Sequence, residues 1–240
     1  MKTTPDSWKP FAAAMQRYFA GDASAKIVVH NDFGERDEYS MAYFFREPAE
    51  FPPLEQTALE LCRGRVLDVG AGAGCHSLAL EERGLAVTAL EISPELVTIM
   101  RARGVSKVYC CDIYDFEADP FDTVLMLMNG LELAGTLVGL EQFLSSIHRL
   151  VKPDGQILAD STDLRAAYGR GPGGMLREDG RYVGELVLQL EFDSAKGAPL
   201  PRLYVDPDAL TEYAGHYGWD CVIVSHNNAG GYLARLTPRV

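Results

Sequence analysis

The sequence predicts an α/β protein: a doubly wound, mostly parallel sheet of seven strands ending in an antiparallel hairpin, preceded by a small helical and hairpin segment. Three observations predict it. From Arg65 onward, short apolar runs alternate with helical stretches. Those runs are continuously apolar, as in strands covered on both faces by helices. The last two flank Asn227-Asn228-Ala229-Gly230-Gly231, the signature of a tight antiparallel connection.

Each element follows in order. Trp8, Phe11, Met15, Tyr18 and Phe19 recur at helical spacing, so residues 7–20 form an amphipathic helix. A β-branched run at 26–30 leads into the turn-like Asn31-Asp32-Phe33-Gly34, then the aromatic patch Tyr43-Phe44-Phe45-Arg46. Pro48, Pro52 and Pro53 punctuate the chain before a helix over 54–61. Strands are expected at 65–69, 86–90, 107–111, 124–127 and 156–160, with a helix over 75–83. Ser93 caps the next helix, Pro94 takes its first position and Gly104 ends it. Leu137, Leu140, Leu144, Ile147 and Val151 mark one face of another helix, which Lys152-Pro153-Asp154-Gly155 stops as a turn. Four glycines and a proline at 169–174 predict a mobile loop, 186–192 a strand with one wetter face, and Asp206-Pro207 the start of a helix to about 217.

At 240 residues the chain can bury a full hydrophobic core. It carries 34 acidic against 22 basic residues, a formal charge of -12, which disfavours nucleic acid as a partner. No apolar run reaches the roughly 20 residues a membrane span needs, and residues 1–10 are polar, so a cytoplasmic location and no membrane partner are expected. None of the five cysteines forms a C-x-x-C pair, and no metal site is predicted.

The stretch with chemical content is Asp68-x-Gly70-x-Gly72-x-Gly74, a glycine-rich turn between a strand and a helix. A dinucleotide turn places a third glycine where Cys75 stands, and a phosphate cradle of the G-x-x-x-x-G-K type needs a lysine that is absent. An acid at the strand end repels a pyrophosphate and draws a ligand bearing an ammonium group.

With these residues the sequence resembles the class I, Rossmann-like, S-adenosylmethionine-dependent methyltransferases, over about residues 60–160 and in the pattern of the terminal hairpin. The resemblance implies S-adenosyl-L-methionine as cofactor and gives roles to Asp68, Gly70 and Gly72 at its turn. It implies that Glu91 binds the ribose hydroxyls, that Ile92 packs on the adenine, and that Asp112 and Ile113 meet the adenine amino group and ring. Asn129, after the fourth strand, falls where the methionine end and the transferring methyl lie. Residues 61–240 then form the Rossmann-like domain, with an insertion near 164–205, and residues 1–60 a lid or substrate segment.

Methyl transfer from a sulfonium is an in-line displacement, for which orientation supplies on the order of 7–11 kcal/mol. The expected reaction methylates an oxygen or nitrogen of a small molecule or peptide. No histidine stands in a motif that marks it as a base, so no catalytic residue is assigned. Asn129-Gly130-Leu131-Glu132 departs from the [DN]-P-P-[YF] of the branches that methylate DNA bases or protein glutamine. Tyr43, Phe44 and Arg46 are candidates to line the substrate site, with Asp160 and Tyr204 beside them. A monomer or homodimer is expected. Competing readings are a subunit that binds the cofactor without turnover and, disfavoured by Asp68 and Cys75, a nicotinamide oxidoreductase.

Overall fold

A computed structural model describes residues 5–169 and 175–239. In chain order it contains α1 (Lys9–Phe19), β1 (Lys26–Asn31), β2 (Arg36–Ser40), α2 (Pro53–Leu61), β3 (Arg65–Val69), α3 (Cys75–Glu82), β4 (Ala86–Glu91), α4 (Pro94–Arg103) and β5 (Val108–Cys110). There follow β6 (Phe121–Met126), α5 (Leu137–Ser146), β7 (Val151–Thr162), α6 (Arg165–Tyr168), β8 (Glu185–Phe192), β9 (Ala195–Lys196), β10 (Leu200–Leu203), α7 (Pro207–His216), β11 (Trp219–His226) and β12 (Gly231–Pro238).

Seven strands make one sheet in the order β11-β12-β7-β6-β3-β4-β5. β4 runs parallel to β5, and β6 to β7, while β12 lies antiparallel to both β7 and β11. This is the expected architecture. A second, antiparallel sheet was not foreseen: β10-β8-β1-β2, with β9 on β8. The run at 26–30 and that at 186–192 each read as a strand, but periodicity does not say that Val29 pairs with Leu190 across some 160 residues.

Lys152-Pro153-Asp154-Gly155 bends as expected, a Cβ at Gly155 coming within 3.0 Å of the Lys152 backbone, although β7 as a whole begins earlier than expected, at Val151. Val151 pairs with Phe121 and the next registered pair is Gln156 with Thr123, so the chain bends through 152–155 between the two pairs. Gly155 is required there, because a side chain would press on the Phe121 carbonyl at 2.9 Å. The glycine-rich stretch predicted to be a mobile loop lies outside the described residues from 170 to 174.

The chain forms two compact units. The first comprises the described residues of Met1–Phe51, Leu67–Phe116 and Val187–Leu200; the second those of Pro52–Val66, Glu117–Leu186 and Pro201–Val240. In the first unit the apolar face of α1 delivers Met15 into a core shared with Ile27, Met41, Leu96 and Ile99. Ala73, from the glycine turn, is part of the same core. In the second unit Trp219 is fully buried, its indole N–H donating to the Leu144 carbonyl at 2.9 Å and its ring stacked on His148. The Tyr232 hydroxyl, equally deep, donates to the Val205 carbonyl at 2.7 Å. Among the described residues, no helix is long and apolar enough to cross a membrane.

Candidate functional site

The first unit holds the glycine turn. β3 ends on Asp68-Val69, and the chain then turns through Gly70, Gly72 and Gly74, all with positive φ, before α3 begins at Cys75. The turn is tied to β4: the amides of Gly70 and Ala71 both donate to the Leu90 carbonyl, at 2.8 and 3.1 Å. The Gly74 amide donates to the Ala71 carbonyl at 2.8 Å, and that of Gly72 to Glu91 Oε2 at 3.0 Å. A phosphate cradle works by offering such amides to the anion. Here those of Gly70, Ala71, Gly72 and Gly74 are spent on protein oxygens and are not offered to an anion.

Two carboxylates are buried at this turn. Asp68 is 2% exposed and accepts the Ser77 hydroxyl at 2.6 Å. Glu91 is 7% exposed, and besides the Gly72 amide it accepts those of Ile92 and Ser93 on Oε1, at 2.8 and 3.0 Å. Burial pushes both carboxyls above the usual carboxylate range, and the charge of Asp68 raises Glu91 further. Two buried acids, one raised by the other's charge, have the chemistry to suit a ligand that brings positive charge and hydroxyl donors.

The three glycines do different work. A methyl group at Gly70 would meet nothing within 4 Å, and one at Gly72 only the Gly70 carbonyl at 4.0 Å. One at Gly74 would strike Val105 at 2.8 Å and Met100 at 3.0 Å. Gly74 therefore serves packing, while the faces of Gly70 and Gly72 are open.

The other predicted residues divide between the units. In the first, Asp112 Oδ1 accepts the Tyr114 amide at 3.0 Å, and Ile113 is buried. Phe44 packs edge-on against Phe11 at the rim of the core, and Tyr43 is exposed. Arg46 is buried, its guanidinium 3.7 Å above the Tyr43 ring and its Nε donating to the Tyr43 carbonyl at 2.6 Å. It also lies 5.6 Å from the centre of Phe51, whose ring packs on His76 in the first turn of α3. Phe51 and His76 thus connect Arg46 to the helix that leaves the glycine turn.

In the second unit Asn129 follows β6 with φ 60° and accepts the Thr162 hydroxyl on Oδ1 at 2.8 Å. Asp160 accepts the Gly130 amide at 3.0 Å. The Tyr204 hydroxyl bonds to Glu132, whose carboxyl is raised by burial and lowered in part by Arg202, 3.5 Å away.

Residues 67–159 match the family model of a methyltransferase domain. The chain is 35% identical to a release factor glutamine methyltransferase of Koribacter versatilis and 31% to a ubiquinone biosynthesis O-methyltransferase of Xanthomonas oryzae, over 111 and 107 residues. Each match covers 41% of this chain and only 38% and 43% of those proteins, so the likeness spans about two fifths of their length. A solved structure decides the matter. The methyltransferase of Bacteroides fragilis in complex with S-adenosyl-L-homocysteine superposes with a TM-score of 0.88, is 35% identical, and is matched over 99% of this chain and 98% of its own. The chain belongs to the S-adenosylmethionine-dependent methyltransferases of class I.

The turn of this methyltransferase fits that cofactor on its own chemistry: open glycine faces, two buried acids, and amides already engaged. Removing Gly74 should test packing alone. Gly74→Ala is expected to cost about 2 kcal/mol from the left-handed backbone and the clash with Val105, lowering the melting temperature by several degrees. Gly72→Ala should cost about 1 kcal/mol in strain while weakening cofactor binding, which thermal melts and calorimetry separate. Sequence reasoning passed over Ser77, Glu132 and Thr162. Ser77 stands nine residues after Asp68 and Thr162 33 after Asn129, and no local pattern announces a hydroxyl aimed across a turn or strand.

Proposed function

We propose that this methyltransferase moves a methyl group from S-adenosyl-L-methionine to an oxygen or nitrogen of a small molecule or peptide. The observation that carries the cofactor assignment is the pair of buried acids, Asp68 and Glu91, at a turn whose amides are already engaged. The bound sulfonium supplies a methyl carbon activated for attack by an acceptor lone pair, the C–S electron pair returning to sulfur. The protein's part is to hold and orient. Asp68 attracts the ammonium group, and Gly70 and Gly72 let the ligand approach the backbone. Glu91 accepts from the ribose hydroxyls, Ile92 packs on the adenine, Asp112 receives its amino group, and the Ile113 backbone amide meets its ring. Asn129 acts at the methionine end.

On the acceptor side, Tyr43, Phe44 and Arg46 line a lid formed by residues 1–60, with Asp160 and Tyr204 as further polar contacts. A buried guanidinium stacked on an aromatic ring suits an acceptor bearing a carboxylate or another anionic group. The acidic composition suits a small molecule or peptide over nucleic acid, in a cytoplasmic monomer or homodimer.

Thermal melting with S-adenosylmethionine, S-adenosylhomocysteine and NAD tests the cofactor reading. At about 100 times Kd a ligand adds about 2.7 kcal/mol, a rise of roughly 5–10 °C for a chain of this size. Both sulfur ligands should produce it and NAD should not. A rise with NAD alone would overturn the proposal. Transfer of labelled methyl to a panel of carboxylated amines and alcohols then identifies the acceptor.

A further inference from the structure

After β6 the backbone does something costly. Met128 and Asn129 both have left-handed φ, 64° and 60°. Neither is glycine, and each such residue costs on the order of 1–2 kcal/mol, which persists only where the surroundings impose it. The restraint comes from the end of β7. Asp160 Oδ1 accepts the Gly130 amide at 3.0 Å, and the Thr162 hydroxyl donates to Asn129 Oδ1 at 2.8 Å. The Asn129 carbonyl is engaged as well, accepting the Glu132 amide at 2.8 Å. Each oxygen of Asn129 thus already accepts from a protein donor. Its side-chain N–H pair, which can only donate, is turned away from Thr162 and is the group it can offer a ligand.

We infer that Thr162 is a positioning residue: it holds the Asn129 amide with its oxygen inward, so that the Nδ2 donors meet an oxygen of the bound ligand's amino-acid end. This rests on the proposed role of Asn129 at that end. Asp160 is the second clamp, fixing the backbone as Thr162 fixes the side chain. Thr162 also closes the β7–β12 ladder opposite Gly231, so its backbone does not depend on the hydroxyl. A valine of the same shape keeps the strand and removes only the bond to Asn129.

The test uses two ligands on the full chain. Methylthioadenosine has the adenine and ribose of S-adenosylmethionine but lacks the amino-acid end, so it reports structural damage without sensing Asn129. Thr162→Val is expected to weaken S-adenosylmethionine binding about five- to tenfold, the worth of one hydrogen bond, while methylthioadenosine binding stays within twofold. Thr162→Ser should bind as the parent does. Asn129→Ala should show the same selective loss, and adding Thr162→Val to it should cost nothing more. Asn129→Asp keeps the oxygen that Thr162 holds but removes the donors, and should be as weak as Asn129→Ala. Equal loss for both ligands in Thr162→Val, or additive losses in the double variant, would overturn the inference. So would an Asn129→Ala loss that Thr162→Val does not share, with the role of Asn129 left standing. If Asn129→Ala itself leaves the ratio of the two affinities unchanged, the role of Asn129 falls and the inference with it.

Discussion

Replacing Glu91 with alanine is expected to weaken S-adenosylmethionine binding by about 100-fold or more. The carboxylate does two things at once. It accepts three backbone amides, from Gly72, Ile92 and Ser93, so it couples the glycine turn to the start of α4. In the proposed site it also receives the ribose hydroxyls. Hydrogen bonds to a charged group are worth about 1.5–3 kcal/mol each, and two of them account for the expected loss. Burial makes the change harsher, since the deserted amides have little access to water. Glutamine does not rescue. Its NH2 would point donors at a backbone donor, whereas each carboxylate oxygen accepts at least one amide. Titration calorimetry measures the affinity and a melt without ligand measures the turn. A Kd within fivefold of the parent would remove Glu91 from the site.

Asp68→Asn should separate stability from binding. Burial raises the Asp68 carboxyl above its ordinary value near 4, with the Ser77 hydroxyl and the neighbouring His76 pulling it back in part. A carboxyl whose folded pKa is raised stabilises the fold only while protonated. That contribution is complete below the unfolded value and is lost as pH rises through the folded one. Above that raised pKa the charged Asp68 is therefore a cost to the ligand-free fold. Asparagine removes the charge and keeps an oxygen for Ser77, so the ligand-free protein should melt no lower than the parent. In the proposed site the same change also removes the attraction for the cofactor's ammonium, and binding should fall by about 10- to 100-fold, roughly 1.4–2.7 kcal/mol.

The pH dependence carries the opposite sign for the ligand. A cation binds the charged carboxylates, so S-adenosylmethionine affinity should be greatest above the raised pKa values of Asp68 and Glu91. It should fall on acidification, starting at a higher pH than ordinary carboxylates near 4 would give. Near those values binding releases protons, which calorimetry in two buffers of different ionisation enthalpy detects. Affinity that is flat down to pH 4 in the parent, or a pH profile unchanged in Asp68→Asn, would show that these acids do not face the cofactor's charge.

The limits of the sequence follow from range. Asp68, Gly70, Gly72 and Gly74 lie within one turn, and Glu91 one strand later, so a linear reading finds them. The same holds for the Ser93 cap, which the structure gives a bond from the Leu96 amide, and for the glycine that ends α4. The early start of β7 escaped because Lys152-Pro153-Asp154-Gly155 does bend as its composition says, and only pairing with β6 shows that Val151, ahead of the bend, already belongs to the ladder.

Alone, then, the sequence determined the alternation of strands and helices, the glycine turn, and the acid that precedes it, because each is written in neighbours a few residues apart. Tertiary structure decided what crosses the chain: the second sheet joining β1 to β8, and the Glu132 carboxyl against Arg202. It also decided the Thr162 hydroxyl on Asn129 and the division of labour among three glycines identical in sequence. The reason is physical. Backbone propensity and hydrophobic period act locally, whereas a buried hydrogen bond or a clash with Val105 depends on which distant segments the fold brings within 3 Å.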